Sequence, residues 1–318
     1  MKILKPQKLK KGDIIGIVAQ SVPVLPSHKE NFLKGKEIFE DLGFKVKEGN
    51  TIGKTKWWAA GTPEEVAKDI MDMFSDKSVK AIMAHAGGYS AISLLEHLDY
   101  EVISKNPKPY MGFSDMTSIH LALYEKCNLV GFHMNDLLGR GEREGEKLEQ
   151  EIELFKKFLM SGDVPKVKPL SEWETWKEGK ASGHLLGGNL HIMMAQSATD
   201  YFPSLEKWDG AILFFEEVGE TLHDMARCLY ELKYMGILDR ISGMIVGKIK
   251  YVKPNRDTEI VEPTYKEMIL DVLRDFDFPI LGEVDFGHYT VNIPMPLGVR
   301  VKIDAEQKTL GFLESPVT

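Results

Sequence analysis

The sequence predicts an α/β protein whose N-terminal half carries a parallel sheet, and three observations lead there. Short apolar runs such as "DIIGIVAQS", "VKAIMAHAGG" and "NLVGFHM" alternate with segments of helical period. The 318 residues suffice for about two domains. A content of 43% hydrophobic and 28% charged residues is that of a globular chain. Strands alternating with helices imply a parallel sheet covered on both faces, and ligands of such sheets bind beyond the carboxyl ends of the strands.

The elements follow in order. "DIIGIVAQS" reads as a strand, "HKENFLKGKEIFEDLG" as a helix closed by Gly43, and "FKVKEG" as the next strand. "TPEEVAKDIMDMFSD" is a helix opened by Thr62 with Pro63 at its first position. The buried strand "VKAIMAHAGG", the short helix "SAISLLEHL", the strand "KPYMGFS", a helix from Asp115 to Lys126 and "NLVGFHM" complete this part. Residues 141–160 are strongly charged, with Leu148, Ile152, Phe155 and Leu159 on one helical face, and "SGDVPKVKPLSEWETWKEGKASG" is loop-rich. The expected division is therefore an N-terminal domain over 1–140, a helix-and-loop linker over 141–180 and a C-terminal domain over 181–318. The last part holds "HLLGGNL", the apolar "AILFFEEV", a helix with Leu222, Met225, Leu229 and Leu232 on one face closed by Gly236, and "GMIVGKI". A helix around Tyr265 to Phe276, "PILGEVDFGH" and two strands in "GVRVKIDAEQKTLGFLE" follow, which makes a second α/β domain richer in strands.

Composition excludes several function classes. No run approaches the roughly 18 apolar residues of a membrane helix, and the basic N-terminus lacks the apolar stretch and cleavage site of a signal peptide, so a cytoplasmic protein is expected. Cys127 and Cys228 have neither metal spacing nor the density of a disulfide framework and read as reduced thiols. A net charge of −8 leaves no basic stripe for a nucleic acid polymer. Apart from His288, eight histidines show no H-E-x-x-H and no close pair, which disfavours zinc.

The candidate site lies at strand ends. In "PKPYMGFSDMTSIH", Ser114 stands at a strand-to-helix junction and is either a helix N-cap or an acyl-transfer nucleophile with the following amide, that of Asp115, as half an oxyanion hole. The second glycine of a G-x-S-x-G elbow is missing. The two glycines of "AHAGGYS" let backbone amides approach a ligand and offer the other donor. "LFFEEVGE" ends an apolar strand in Glu216 and Glu217, whose side chains are expected on opposite faces, so that only one can enter a cleft; an exposed strand-end carboxylate is the alternative reading. "DFGHYTVNIPMPLG" places His288 in a loop stiffened by Pro294 and Pro296, either merely solvated or held between a hydroxyl and a carboxylate.

Taken together, "GFSDMT", "AGGYS" followed by "LLEHLDYEVISKNPK", "GHLLGGNL", "LFFEEVGE" and "DFGH" before "PMPLGV" resemble, in order and approximate spacing, the LD-carboxypeptidase serine peptidase family, which includes the microcin C self-immunity proteins. The likeness spans nearly the whole chain and is nearer to the self-immunity branch. It implies a Ser-Glu-His triad of Ser114 as nucleophile, Glu216 orienting the histidine and His288 as base, with an oxyanion hole from the amides of Asp115 and Gly88. It further implies a flavodoxin-like N-terminal domain, a smaller β-rich C-terminal domain, a site in the groove between them, no cofactor or metal, and a homodimer.

Three positions depart from the common family pattern: Ala86 where many members have arginine before Gly-Gly, Val66 where an arginine is usual, and His133-Met134-Asn135 in place of His-Gly-Pro. These touch substrate recognition rather than the triad. The expected substrate is a small peptide or an aminoacyl or peptidyl nucleotide, favoured by "SEWETWKEG", in which Trp173 or Trp176 would stack on a purine, with Tyr89 as a further contact. Packing of the two tryptophans on the second domain is the alternative. The rival enzyme reading releases terminal D-alanine from a murein tetrapeptide, and a rival of another class is a non-catalytic peptide-binding module.

Overall fold

The computed structural model describes residues 3–257, 259–288 and 290–318. In chain order the elements are β1 (Ile14–Val18), α1 (Lys29–Asp41), β2 (Lys45–Glu48), α2 (Pro63–Ser75), β3 (Val79–Ala84), α3 (Tyr100–Lys105), β4 (Tyr110–Gly112), α4 (Thr117–Cys127), β5 (Gly131–His133), α5 (Leu137–Gly141) and α6 (Gly145–Phe155). They continue with β6 (Glu174–Lys177), β7 (Lys180–Asn189), α7 (Leu190–Ala195), β8 (Ile212–Glu216), α8 (Leu222–Tyr234), β9 (Gly243–Gly247), α9 (Tyr265–Val272), β10 (Ile280–Val284), β11 (Met295–Pro296), β12 (Arg300–Asp304) and β13 (Thr309–Phe312). Among the described residues no helix is long and apolar enough to cross a membrane.

Two sheets form a mixed α/β architecture. The first is six-stranded in the order β11-β5-β4-β3-β1-β2, parallel except for β11. The second is seven-stranded in the order β13-β12-β7-β8-β9-β10-β6, with β7, β8, β9 and β10 parallel and β6, β12 and β13 antiparallel to their neighbours. The parallel strands read as continuous apolar runs because both faces are covered: all of Ile212–Glu216 and Gly243–Gly247 is buried. One apolar cluster runs from Ile17, Met83 and Phe132 of the first sheet to Leu186 and Phe214 of the second, so the sheets share a core.

Local chemistry sets the helix ends. Thr62 caps α2 in a full capping box with Glu65, with Pro63 in the first turn, and the buried face carries Val66, Ile70, Met73 and Phe74. The helix expected from Asp115 starts later: Ser114–Met116 form a 3-10 turn and α4 begins at Thr117. The helix around Tyr265 is opened by a Thr264–Glu267 capping box and ends at Val272, short of Phe276. "SAISLLEHL" is a 3-10 helix over Ala91–His97. The stretch expected as a helix-and-loop linker contributes a strand, β6, to the second sheet. Cys127 and Cys228 are buried free thiols.

The sheets meet where α4 crosses the end of β7. The Asn189 N–H donates to Thr117 Oγ1 at 2.9 Å. A Cβ on Gly188 would lie 2.5 Å from Thr117 Oγ1, and the residue's φ of +156° suits only glycine, so "GGN" is what allows this approach. Thr117→Val should leave the buried Asn189 amide unsatisfied and lower stability by about 1–3 kcal/mol, measured by urea unfolding. An unchanged midpoint would mean that the contact does not hold the sheets together.

Candidate active site

Ser114 stands where β4 gives way to α4, at φ +59°. This left-handed conformation costs a serine about 1–2 kcal/mol and persists only when its surroundings impose it. They do so here. Phe113 is buried on one side, and on the other the buried Asp115 carboxylate accepts from Ser21 Oγ (2.5 Å), Ser90 N–H (2.9 Å) and Ala91 N–H (2.9 Å). Ser114 makes no capping hydrogen bond, and the cap position is Phe113, so the N-cap reading of this serine is corrected. The turn is a strained strand-to-helix junction that projects a hydroxyl, formed without a second glycine after the serine.

Around it is a cavity of about 260 Å³ whose walls include Gly87, Gly88, Asp136, Arg143 and His288. A side chain on Gly87 would come within 3.1 Å of Ser114 Oγ, so the Gly-Gly turn lies directly against the serine. The Gly87 amide lies close enough to the Asp136 carboxylate to favour its charged form. The amides of Gly88 and Asp115 enter no hydrogen bond among the described residues. Asp136 also accepts from Gly139 N–H at 2.8 Å, and burial raises its pKa to about 7 against those bonds.

His288 Nδ1 and Glu216 Oε2 are 2.7 Å apart, and the His288 ring packs on Phe113 at 4.7 Å between centroids. Gly287, at φ +114°, lets the loop turn onto Glu216: a Cβ there would lie 3.1 Å from Glu216 Cβ. The loop is held by a buried amide network. Gly287 N–H donates to Asn292 Oδ1 (2.6 Å), Asn292 Nδ2 to Asn135 Oδ1 (2.5 Å), and Asn292 N–H and Asn135 Nδ2 to Glu151 Oε1 (2.9 and 2.7 Å). Arg143 adds a bond from Nη2 to Thr290 O at 2.6 Å.

Glu216 is fully buried, and its other oxygen accepts from Asn189 Nδ2 at 3.2 Å. Glu217 departs from the expected opposite face and from the exposed-carboxylate alternative. It is buried and accepts from the same Asn189 Nδ2 (3.0 Å) and from the amides of His191 (2.8 Å) and Val218 (2.8 Å). The reason is that β8 ends at Glu216, so strand alternation no longer governs Glu217. Burial and then the charge of Glu216 raise the Glu217 pKa to about 7.

Trp173 and Trp176 are a second correction. Both are buried; Trp173 Nε1 donates to Asp285 Oδ2 (2.6 Å) and Trp176 Nε1 to Glu174 Oε2 (2.9 Å), and neither lines the cavity around Ser114. Trp176 lies in the strand β6 paired to β10, and Trp173 immediately precedes it. Tyr89 is 80% exposed and lines a neighbouring cavity with Trp57 and Trp58. Of the departing positions, Ala86 and Asn135 face the Ser114 cavity, Val66 faces the neighbouring one, and Met134 is buried core. Asn189, Asp136, Asn292 and Arg143 are site residues that sequence reasoning did not single out. For Asn189 and Asp136 the available signal was position, at the end of β7 and in the turn that follows β5. Among the described residues no cluster of three His, Cys, Asp or Glu side chains is placed to hold a metal ion.

Ser114 in a strained strand-to-helix turn shares a cavity with a histidine bonded to a buried carboxylate, and the comparisons place the chain among peptidases. Residues 15–134 match the LD-carboxypeptidase N-terminal domain and residues 182–303 the LD-carboxypeptidase C-terminal domain. The chain belongs to the LD-carboxypeptidase family of peptidases. It is 28% identical to the microcin C7 self-immunity protein MccF of Escherichia coli, over 95% of this chain and 94% of that protein. It is 27% identical to a probable murein peptide carboxypeptidase of Bacillus subtilis, over 96% and 93%. The structure of MccF in complex with aspartyl sulfamoyl adenosine superposes with a TM-score of 0.89 at 26% identity, covering 99% of this chain and 100% of that one.

The charge balance at His288 fixes a pH dependence. Burial opposes the imidazolium, but the charge and hydrogen bond of Glu216, with Asp136 and Glu217 behind, carry the His288 pKa above the ordinary 6.5. Burial likewise pushes Glu216 up, and the charge and hydrogen bond of His288 outweigh it, holding the carboxyl below the ordinary 4.5. Stability from the raised histidine is complete below 6.5 and lost as pH rises through its folded value, while that from the lowered glutamate is present above 4.5 and lost as pH falls through its folded value. The pair therefore stabilises most between these limits. If His288 works as a base, kcat/KM should rise through an apparent pKa above 6.5. Glu216→Gln removes the charge, so burial prevails: the acid limb should move below the wild-type value and kcat should fall by about 10³- to 10⁴-fold. Profiles over about pH 5 to 8 check this; an unmoved limb would separate Glu216 from the titration.

Proposed function

We propose that this protein is a serine amidohydrolase with Ser114 as nucleophile, His288 as general base and Glu216 as its orienting carboxylate, acting on an aminoacyl or peptidyl nucleotide. The observation that carries the reading is the 2.7 Å Glu216–His288 bond beside a cavity that Ser114 and His288 line together. In this reading His288, bonded through Nδ1 to Glu216, takes the Ser114 proton on Nε2. Attack on the amide carbonyl places negative charge on its oxygen, which the free amides of Gly88 and Asp115 stabilise. The protonated Nε2 then gives its proton to the leaving nitrogen. An acyl-enzyme results, and a water deprotonated by His288 hydrolyses it. An intact Ser, Glu and His brought to one place argues against a mere peptide-binding module.

The substrate class rests on kinship: the relative solved with aspartyl sulfamoyl adenosine covers 99% of this chain. The second reading, release of a terminal D-amino acid from a murein peptide, draws on the Bacillus subtilis relative. Stacking by Trp173 or Trp176 is no longer part of the argument.

Two substitutions separate a reactive serine from a structural one. Ser114→Ala should lower turnover by several orders of magnitude and leave Tm nearly unchanged, since no hydrogen bond of the fold is lost. Ser114→Gly should be equally inactive without loss of stability, because glycine tolerates the positive φ. Both are assayed on aspartyl sulfamoyl adenosine and on a murein tetrapeptide. Residual activity in Ser114→Ala on both substrates would remove the serine from the mechanism, and D-alanine release without nucleotide cleavage would favour the second reading.

A further inference from the structure

Beyond the Gly88-Tyr89 strip lies a second cavity, of about 270 Å³, walled by Trp57, Trp58, Tyr89, Gln20, Lys56 and Val66. Its rim is unusual for this chain. Trp57, Trp58 and Tyr89 are 78, 60 and 80% exposed, whereas Trp173, Trp176 and Trp208 are buried. Three large aromatic groups gathered in water at one cavity mark a binding surface rather than a packing one.

The backbone adds an independent sign. Lys56 and Ala59 exchange both amide bonds, Lys56 N–H to Ala59 O at 2.7 Å and Ala59 N–H to Lys56 O at 2.9 Å, closing a two-residue turn with the two tryptophans at its tip. Trp57 sits there at φ +54°, a conformation that such turns normally assign to glycine or asparagine and that bulky side chains rarely adopt. Strain of this kind is kept where presentation of the side chain matters.

Gln20 supplies a third. It is 1% exposed, and its Oε1 has no hydrogen-bond partner among the described residues, although it lines this cavity. Buried amide oxygens are almost always satisfied, and an unpaired one on a ligand cavity is an acceptor awaiting a donor. The cavity is also tied to the nucleophile. Ser21, next to Gln20, accepts from Tyr89 N–H at 2.8 Å and donates to Asp115 at 2.5 Å. Tyr89 follows two residues after Gly87, so their Cα atoms are at most about 7.6 Å apart. One small substrate can span both cavities.

We propose that this cavity is a nucleobase subsite: the rings of Trp57, Trp58 and Tyr89 stack on the base and Gln20 Oε1 accepts from its N–H. A planar ring with few donors suits mostly apolar walls and one buried acceptor, while a sugar would leave many hydroxyls unpaired there. Lys56, with Nζ 5.3 Å from the Trp57 ring centre, places a cation for the anionic bridge of a nucleotide. This deepens the aminoacyl-nucleotide reading given above and rests on it.

The test is equilibrium binding of AMP and of ribose 5-phosphate to the full chain, read by calorimetry. AMP should bind at least 10-fold more tightly than ribose 5-phosphate, and Trp57→Gly and Trp58→Ala should each weaken AMP roughly 10-fold to 100-fold, the effect of losing one stacked ring. Trp57→Gly should not lower Tm, because it removes the strained φ. Gln20→Met should weaken AMP binding with a smaller change for ribose 5-phosphate, and the remote, exposed Tyr234→Ala should change neither. Equal affinity for the two probes, or AMP affinity within twofold of wild type in both tryptophan variants, overturns the subsite. Cleavage of aspartyl sulfamoyl adenosine with ring-independent AMP binding overturns the subsite and leaves the amidohydrolase reading standing. Ring-dependent AMP binding without cleavage does the reverse.

Discussion

A carboxylate without access to water must be surrounded by donors, and the site is organised around meeting that demand for Glu216. Its two oxygens are met by His288 Nδ1 and Asn189 Nδ2. Each donor then has to be held. His288 is positioned by the turn at Gly287 and by the Asn292–Asn135–Glu151 network, and Asn189 by its amide bond to Thr117. Because Asn135 follows β5 and Thr117 opens α4, the residues that serve a carboxylate of the second sheet belong to the first. The loop carrying His288 is drawn the same way, since β11 beyond it joins the edge of the first sheet.

The Ser114 side is built by the opposite means, strain held in place by buried hydrogen bonds. Asp115 collects Ser21, Ser90 and Ala91, which fastens the loop after β3 to the turn of Ser114. Asp136 accepts from the Gly139 amide and lies against that of Gly87, and the Gly88 amide enters no hydrogen bond among the described residues. Both acids are buried with raised pKa values, so each trades desolvation for the fixed direction of several backbone amides. The same loop then passes Tyr89 to the rim of the aromatic cavity, so one short strip serves both recesses.

Buried groups behind the site give it rigidity. Arg140 is fully buried with its guanidinium 5.3 Å from the rings of both Phe39 and Phe155, and it lies close enough to Glu151 and Asp136 for their charges to support its own against burial. His133, neutral because burial lowers its pKa to about 3, backs Phe113 and Phe214 as an aromatic wall. These residues support the side chains that face the cavity without reaching it themselves.

What the sequence determined by itself was what local pattern encodes. Alternating apolar runs and helical periods specified the parallel sheets, Thr62 and Pro63 marked the start of α2, and the strand-end motifs placed Ser114, Glu216 and His288 as candidates. Tertiary structure alone decided what depends on distant partners. The Glu216–His288 bond spans 72 positions and the Trp173–Asp285 bond 112, and no local period reports such pairings. That is why Trp173 and Trp176, read as a loop over the groove, are core residues just before and within an edge strand. It is also why Asn189 and Asp136 became visible only once neighbouring strands set their ends side by side. The left-handed turn at Ser114 belongs to the same group, because a serine takes that conformation only when packing around Phe113 and bonds to Asp115 compel it.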